Sequence, residues 1–207
     1  VEAMSTVEIG SNIRDGLPNG RGIPKGERLE LQYPGIQFSQ FDGAELLAEK
    51  YAITRADLDA FGLLSHQRAK AATDNGYFKE EIVPLNIKLE DGSADVHLVD
   101  EGIRGEATLE GMQSLKTLRE GGVITAGTAS QISDGSAAVM IANEMAVAKY
   151  NLPVRAKIHS LAVVGSDPVI MLEGPIPATH KVLEKAGLTI DDIDLYEVNE
   201  AFGSVPL

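Results

Sequence analysis

The sequence predicts an α/β protein, and three observations carry that prediction. From Val123 onward, strand-sized apolar runs alternate with amphipathic helical stretches, the order expected of a mostly parallel sheet covered by helices. Ahead of them lie two helical patterns between Gly43 and Gly76 and an alternating stretch around Asp91-Gly92. At 207 residues, with 43% hydrophobic and 24% charged content, the chain is long enough and ordinary enough to bury a core.

The elements follow in order. Residues 1 to about 43 are rich in Gly and Pro, as in "GLPNGRGIPKGER", and read as a long surface loop or flexible start. "GAELLAEKYAI" is a short amphipathic helix. "TRADLDAFGLLSHQRAKAATDNG" is a longer one: Thr54 and Asp57 have capping-box spacing, Leu58, Phe61 and Leu64 recur on one face, and Gly76 is a stop. "EEIVPLNIKLEDGSADVHLVDEGIR" alternates apolar and polar residues on both sides of Asp91-Gly92, a hairpin signal. A third helix is expected over "TLEGMQSLKTLREGG", with Leu109, Met112, Leu115 and Leu118 at every third position. "DGSAAVMIAN" reads as a strand buried on both faces, "EMAVAKYN" as a helix and "VRAKIHSLAVVG" as a strand. Asp167-Pro168 opens a helical stretch that breaks at "GPIP" and resumes as "ATHKVLEKAG", capped by Gly187. Ile193 to Val198 is the last expected strand.

Composition narrows the function classes. A formal net charge of −13 repels nucleic-acid backbones and anionic lipid, so those partners are set aside, while a small anionic ligand needs only local positive charge. No apolar run approaches a membrane span, and Val1-Glu2-Ala3-Met4 is acidic where a secretory signal would be basic. The absence of cysteine excludes disulfides, thiolate catalysis and Cys-based metal sites within these residues, and points to the cytoplasm. His66, His97, His159 and His180 have no metal-ligand spacing; His66 and His180 are read as exposed polar positions on helices.

Asn199 stands just past the last expected strand, where an open parallel sheet collects functional groups. Its amide could donate to a developing oxyanion, or orient a water that does, without desolvating a charge. Equally, Asn199 could cap a helix beginning at Glu200.

At this point a family resemblance becomes specific. "GPIPATHKVLEKAGLTIDDIDLYEVNEAF" resembles the central signature of the thiolases, enzymes that join or split 3-oxoacyl-CoA thioesters. "ITAGTASQISDGSAAVMI", "AEKYAITRADLDAFGLLSHQRAKAATDNGYFKEEIVPL" and "VEAMS" are similar to the family's CoA-side loop, its helical loop region and the stretch before that. The resemblance runs nearly from end to end. It implies a thiolase-like fold, part of a five-layered αβαβα arrangement with an α+β loop domain. It implies that residues 1–131 form a loop domain covering CoA, that 132–154 supply the last strand and helix of the N-terminal half, and that 155–207 begin the C-terminal half.

Roles come with the same resemblance. Asn199 is implied as the NEAF asparagine whose side chain fixes a water that, with a histidine, stabilises the thioester oxygen. Ser130 in "TAGTAS" is implied as a contact to the pantetheine arm of CoA and Ala126 as a backbone-lined one, although Gly127, Thr128 and Ser130 also suit plain turn chemistry. Arg104 in "DEGIRGEATLE" is implied as a CoA-binding arginine; the plainer reading is a surface ion pair with Asp100, Glu101 or Glu106. Gly111 stands where the family often has a serine that helps hold the nucleotide. Met171 in "DPVIM" is implied to line the acyl pocket, against the general use of methionine as adaptable core filling. Around "QFSQFDGAE", bulky Phe38, Gln40 and Phe41 depart from the small, Gly-rich form of acetyl-specific relatives.

Thiolase chemistry also needs a nucleophilic cysteine, a second cysteine that moves protons at the α-carbon, and the histidine of a Gly-His-Pro motif. This sequence has no cysteine, and its only Gly-Pro is Gly174-Pro175. The expectation is therefore a segment of a thiolase, inactive alone, that works with the remainder of the thiolase chain in a dimer or tetramer. It takes coenzyme A or acyl-CoA as substrate, and no cofactor is bound permanently. The competing expectation is a non-catalytic CoA-binding or interaction module. A first residue other than Met fits a processed, truncated or partly defined chain.

Overall fold

A computed structural model describes residues 1–22 and 25–207. It separates into two compact units, one of Ala44–Gln131 with Asn199–Leu207, the other of Val1–Gly43 with Ile132–Val198.

The first unit holds the buried apolar side chains. Helix α3 runs from Gln40 to Lys50, after α1 (Ser11–Gly16) and α2 (Glu27–Gln32) of the other unit, and buries Ala44, Leu47 and Ala48. Helix α4 spans Arg55–Asp74 and starts as its sequence requires: Thr54 accepts from the Asp57 N–H, and the Asp57 carboxylate accepts back from the Thr54 N–H. The Thr54 hydroxyl, and after it the Thr54 backbone, hold the Asp57 carboxyl below its usual range. Gly76 ends the helix with φ +72°, a left-handed conformation open to glycine. The hairpin forms at Asp91-Gly92: β1 (Leu85–Lys88) pairs antiparallel with β2 (Ala94–His97), Leu85 opposite His97 and Lys88 opposite Ala94.

The third expected helix is a correction. Helix α5 covers only Leu109–Ser114, and the chain turns extended at Leu115. The cause is Arg55 on α4. Its Nε holds both carboxylate oxygens of Asp59, at 2.9 and 2.8 Å, while Nη2 donates to the carbonyls of Met112, Gln113 and Leu115 at 2.9, 3.2 and 3.0 Å. A cation there satisfies the orphan carbonyls at the C-terminus of α5 and complements its dipole, so the helix ends at that point. Asp59, 1% exposed, is paired as a buried carboxylate must be. Residues 117–125 then fold back, with Thr117 bridging Thr125 and the Leu118 N–H donating to the Ile124 carbonyl. The Glu45 carboxylate of α3 receives the N–H groups of Val123 and Ile124, at 2.8 and 3.0 Å.

The second unit contradicts the strand expectations. Residues 134–143, 154–165 and 193–198 form no ladder with one another. The first keeps only an isolated bridge, Glu2 to Gly135, beside Ser5 donating from both its N–H and its hydroxyl to Asp134. Side chains expected inside a sheet lie exposed: Val139 at 87%, Met140 at 79%, Val163 at 84% and Leu195 at 89%. Their composition is strand-like, but a strand exists only as a hydrogen-bonded partner of another.

The helices of this unit stand. Helix α6 (Glu144–Tyr150) is capped by Asn143, and α7 (Pro175–Ala186) ends on Gly187 at φ +69°. "GPIP" does not break that helix but begins it, because Pro175 occupies the first helical position, where its missing N–H costs nothing. Lys181 and Lys185, one turn apart on α7, donate to the carbonyls of Val163 and Leu161. Residues 1–43, expected as a loop, contain α1 and α2; Ile23 and Pro24 of the Gly- and Pro-rich run lie outside the described residues. Among the described residues, no helix is long and apolar enough to cross a membrane.

Candidate functional site

The site-bearing segments of the first unit are arranged by one face of α4. Leu58, Phe61, Gly62, Ser65, His66 and Lys70 recur at the three- and four-residue intervals that put side chains on one side of a helix. Each meets a different piece of chain. Leu58 and Phe61 face the Cα of Gly203, where an added Cβ would stand 3.1 Å from Leu58 and 3.5 Å from Phe61. Gly62 admits the Gly127 carbonyl, which a Cβ at 62 would meet at 2.6 Å. Ser65 donates from its hydroxyl to the Glu200 carboxylate at 2.7 Å. His66 accepts the Arg104 N–H on Nδ1 at 3.2 Å, and the Lys70 stem lies over Gly105.

Residues 125–128 form a tight turn. The Thr128 N–H donates to the Thr125 carbonyl at 3.1 Å, and the buried hydroxyls of Thr125 and Thr128 bind N–H groups within the same turn. Turn chemistry therefore accounts for the two threonines and leaves Ala126 exposed at the apex. Beyond the turn, residues 128–130 pair antiparallel with 201–203: Ala129 bridges Phe202, the Ser130 N–H donates to the Ala201 carbonyl at 2.9 Å, and the Gly203 N–H to the Thr128 carbonyl at 2.8 Å. Phe202, 2% exposed, pins this ribbon to the core. The Gln131 amide donates to the Gly102 carbonyl, linking the ribbon to the loop that carries Arg104.

Four of the five residues singled out from sequence thus fall in one unit: Arg104, Ala126, Ser130 and Asn199. Asn199 caps no helix, since residues 199–207 hold none, and that alternative is overturned. The residues after it, 201–203, pair with 128–130 through an isolated bridge instead. Asn199 is exposed, and its side-chain amide has no protein hydrogen bond among the described residues; the same holds for the Ser130 hydroxyl. The Arg104 guanidinium is exposed and makes no ion pair with Asp100, Glu101 or Glu106.

Met171 belongs to the other unit, half-buried at φ +45°. The turn before it is tied by Asp167, whose carboxylate accepts the N–H groups of Val169 and Ile170 at 2.7 and 3.0 Å. Gly43 of α3 lies against the Ile170 carbonyl, where any side chain would collide. A non-glycine residue at positive φ is a strained conformation that surrounding structure must over-determine.

Sequence reasoning missed Ser65 and His66. The helical repeat counted only apolar positions, and both residues sit on the same face as Leu58 and Phe61, where a polar residue facing inward needs a partner. Reading His66 as an exposed polar position is corrected by its half-buried ring and its bond to the Arg104 backbone.

Comparison with known proteins agrees along the whole chain. Residues 1–145 match the family profile described as thiolase, N-terminal domain, and residues 152–207 that described as thiolase, C-terminal domain. A steroid 3-ketoacyl-CoA thiolase of Mycobacterium tuberculosis is 45% identical over 207 residues, covering 99% of this chain and 49% of that protein. The mitochondrial 3-ketoacyl-CoA thiolase of Mus musculus is 48% identical over 160 residues, 77% of this chain and 40% of that one. The crystal structure of human mitochondrial 3-ketoacyl-CoA thiolase superposes with a TM-score of 0.76 at 45% identity, over 80% of this chain and 42% of that chain. The Bacillus anthracis acetyl-CoA acetyltransferase gives 0.77 at 39% identity, over 84% and 44%. The chain spans about half the length, or less, of the relatives it matches. With both halves of the family pattern matched in order over almost every residue, the chain belongs to the thiolase family.

Proposed function

We propose that the complete protein carrying these residues transfers acyl groups between 3-oxoacyl-CoA or acyl-CoA and CoA, through a cysteine acyl-enzyme. Relatives named as 3-ketoacyl-CoA thiolases support the reaction, and a human relative solved in complex with CoA supports the substrate. These 207 residues contain no cysteine, so the thiolate belongs to polypeptide outside them. On this reading residues 1–131 form the CoA-covering loop domain, 132–154 close the N-terminal half and 155–207 open the C-terminal half. The working protein is a dimer or tetramer. Cytoplasmic residence is proposed from the cysteine-free composition.

The observation that carries the reading is the pairing of residues 128–130 with 201–203. It sets Ser130 opposite Ala201, two residues from Asn199, with the turn that carries Ala126 at the far end of the ribbon, so a pantetheine arm that follows the ribbon from that turn past Ser130 leads toward the Asn199 amide. There the amide holds a water against the thioester oxygen as negative charge builds, a neutral donor that needs no reorganisation at the moment of reaction. Ser130 and Ala126 hold the pantetheine arm, Arg104 binds CoA through its guanidinium, and Met171 lines the acyl pocket.

The test is thiolysis of a 3-oxoacyl-CoA by the complete protein. Asn199→Ala should lower kcat by roughly 10²-fold with little change in the KM for CoA. An unchanged kcat would remove Asn199 from the reaction.

A further inference from the structure

On the acyl-transfer reading above, we propose that Ser65 is a positioning residue for Asn199, acting through Glu200. The chain entering the site has no backbone support: residues 194–199 make no backbone hydrogen bond among the described residues. On the N-terminal side of Asn199 the nearest hydrogen bond is that of the Tyr196 hydroxyl to the Ile190 carbonyl, so its closest supports lie on the C-terminal side. Two anchors provide that support. One is the ribbon, through the Ala201 carbonyl and the buried Phe202 ring. The other is the Ser65 hydroxyl, which grips the side chain of the residue directly bonded to Asn199.

The second anchor fixes what the first leaves loose. The ribbon begins at Ala201, so the peptide between Asn199 and Glu200 can still rotate about its flanking torsions, and the Asn199 amide swings with it. Ser65 sits near the middle of the 20-residue helix α4, which is capped at its N-terminus and packed along the Leu58 face, so its hydroxyl is a fixed point. A bond from that point to the Glu200 carboxylate locks Glu200 and, through one peptide plane, the direction of the Asn199 side chain.

Charge gives a second reason. Glu200 is a carboxylate one residue from a centre that must stabilise negative charge. Left free, it would oppose the charge developing on the thioester oxygen. A charge-assisted hydrogen bond at 2.7 Å draws it toward α4 and away from that role. His66, the next residue on the helix, holds the Arg104 backbone, so consecutive positions of α4 support the oxyanion side and the nucleotide side of one substrate.

The experiment uses the complete enzyme and four variants: Ser65→Ala, Ser65→Thr, Asn199→Ala and the Ser65→Ala/Asn199→Ala double. Ser65→Ala should lower kcat about tenfold, the loss of one hydrogen bond to a charged group, while the KM for CoA stays within about twofold. Ser65→Thr keeps the hydroxyl and should recover most of that rate. In the Asn199→Ala background, Ser65→Ala should cost nothing further, because the group it positions is gone. A purely structural serine would instead lower the thermal midpoint and multiply its rate loss onto the Asn199→Ala variant. That result overturns the proposal, as does a Ser65→Ala kcat within about twofold of the parent. If Asn199→Ala itself leaves kcat unchanged, the acyl-transfer role of Asn199 fails and this inference with it. If Asn199→Ala is slow and Ser65→Ala is not, only the inference falls.

Discussion

The backbone N–H of Arg104 points at Nδ1 of His66, and that one bond settles which ring nitrogen is the acceptor. The guanidinium is exposed, and among the described residues no acidic side chain engages it, so the expected surface ion pair does not form. Arg104→Ala should raise the KM for CoA by roughly tenfold and leave kcat unchanged, the signature of lost uniform binding. Steady-state kinetics of the complete protein decides it, and an unchanged KM rules the contact out. Arg104→Lys should recover only part of the loss, since an ammonium cannot reproduce a planar two-pronged contact.

At the scale of the element, α4 acts as a ruler whose markings are side chains of graded size. Gly62 is the smallest, and the Gly127 carbonyl and the Met112 methyl group lie within 2.6 and 2.7 Å of where an alanine Cβ would be. Alanine there gains about 1 kcal/mol of helix propensity over glycine. Forcing a methyl group into a filled contact costs about 1–3 kcal/mol, and the upper end applies because a backbone oxygen cannot step aside as a side-chain tip can. Gly62→Ala should therefore lower the denaturation midpoint despite being a better helix former. It should also raise the KM for CoA, because the displaced turn carries Ala126 and leads to Ser130. A stabilised variant with normal kinetics would show that the turn yields freely.

Among the described residues, fully buried apolar side chains belong to one unit, and the other carries apolar runs that face water. Hydrogen exchange on the 207-residue chain should show protection in α3 and α4, while residues 136–142, 154–165 and 194–198 exchange quickly, having no backbone acceptors among the described residues. Exposed Val139, Met140, Ile141, Val163 and Leu195 should bind a hydrophobic dye strongly. Slow exchange through residues 194–198 would mean that the segment finds a partner strand in solution.

What the sequence determined by itself is local. Thr54-x-x-Asp57 sets the start of α4 because both halves of the capping box lie within one turn, and Asp91-Gly92 sets the hairpin because glycine alone reaches φ +86° without strain. Asn199, Ser130 and Arg104 were singled out because several long motifs stand in family order, not from periodicity. Tertiary structure decided everything that depends on a distant partner. Arg55 ends α5 from more than fifty positions away, Pro175 starts a helix where a break was expected, and Ser65 and His66 acquire partners at Glu200 and Arg104. The strand-like runs failed for the same reason in reverse: a cap or a turn is satisfied by its own neighbours, but a strand is half of an interaction.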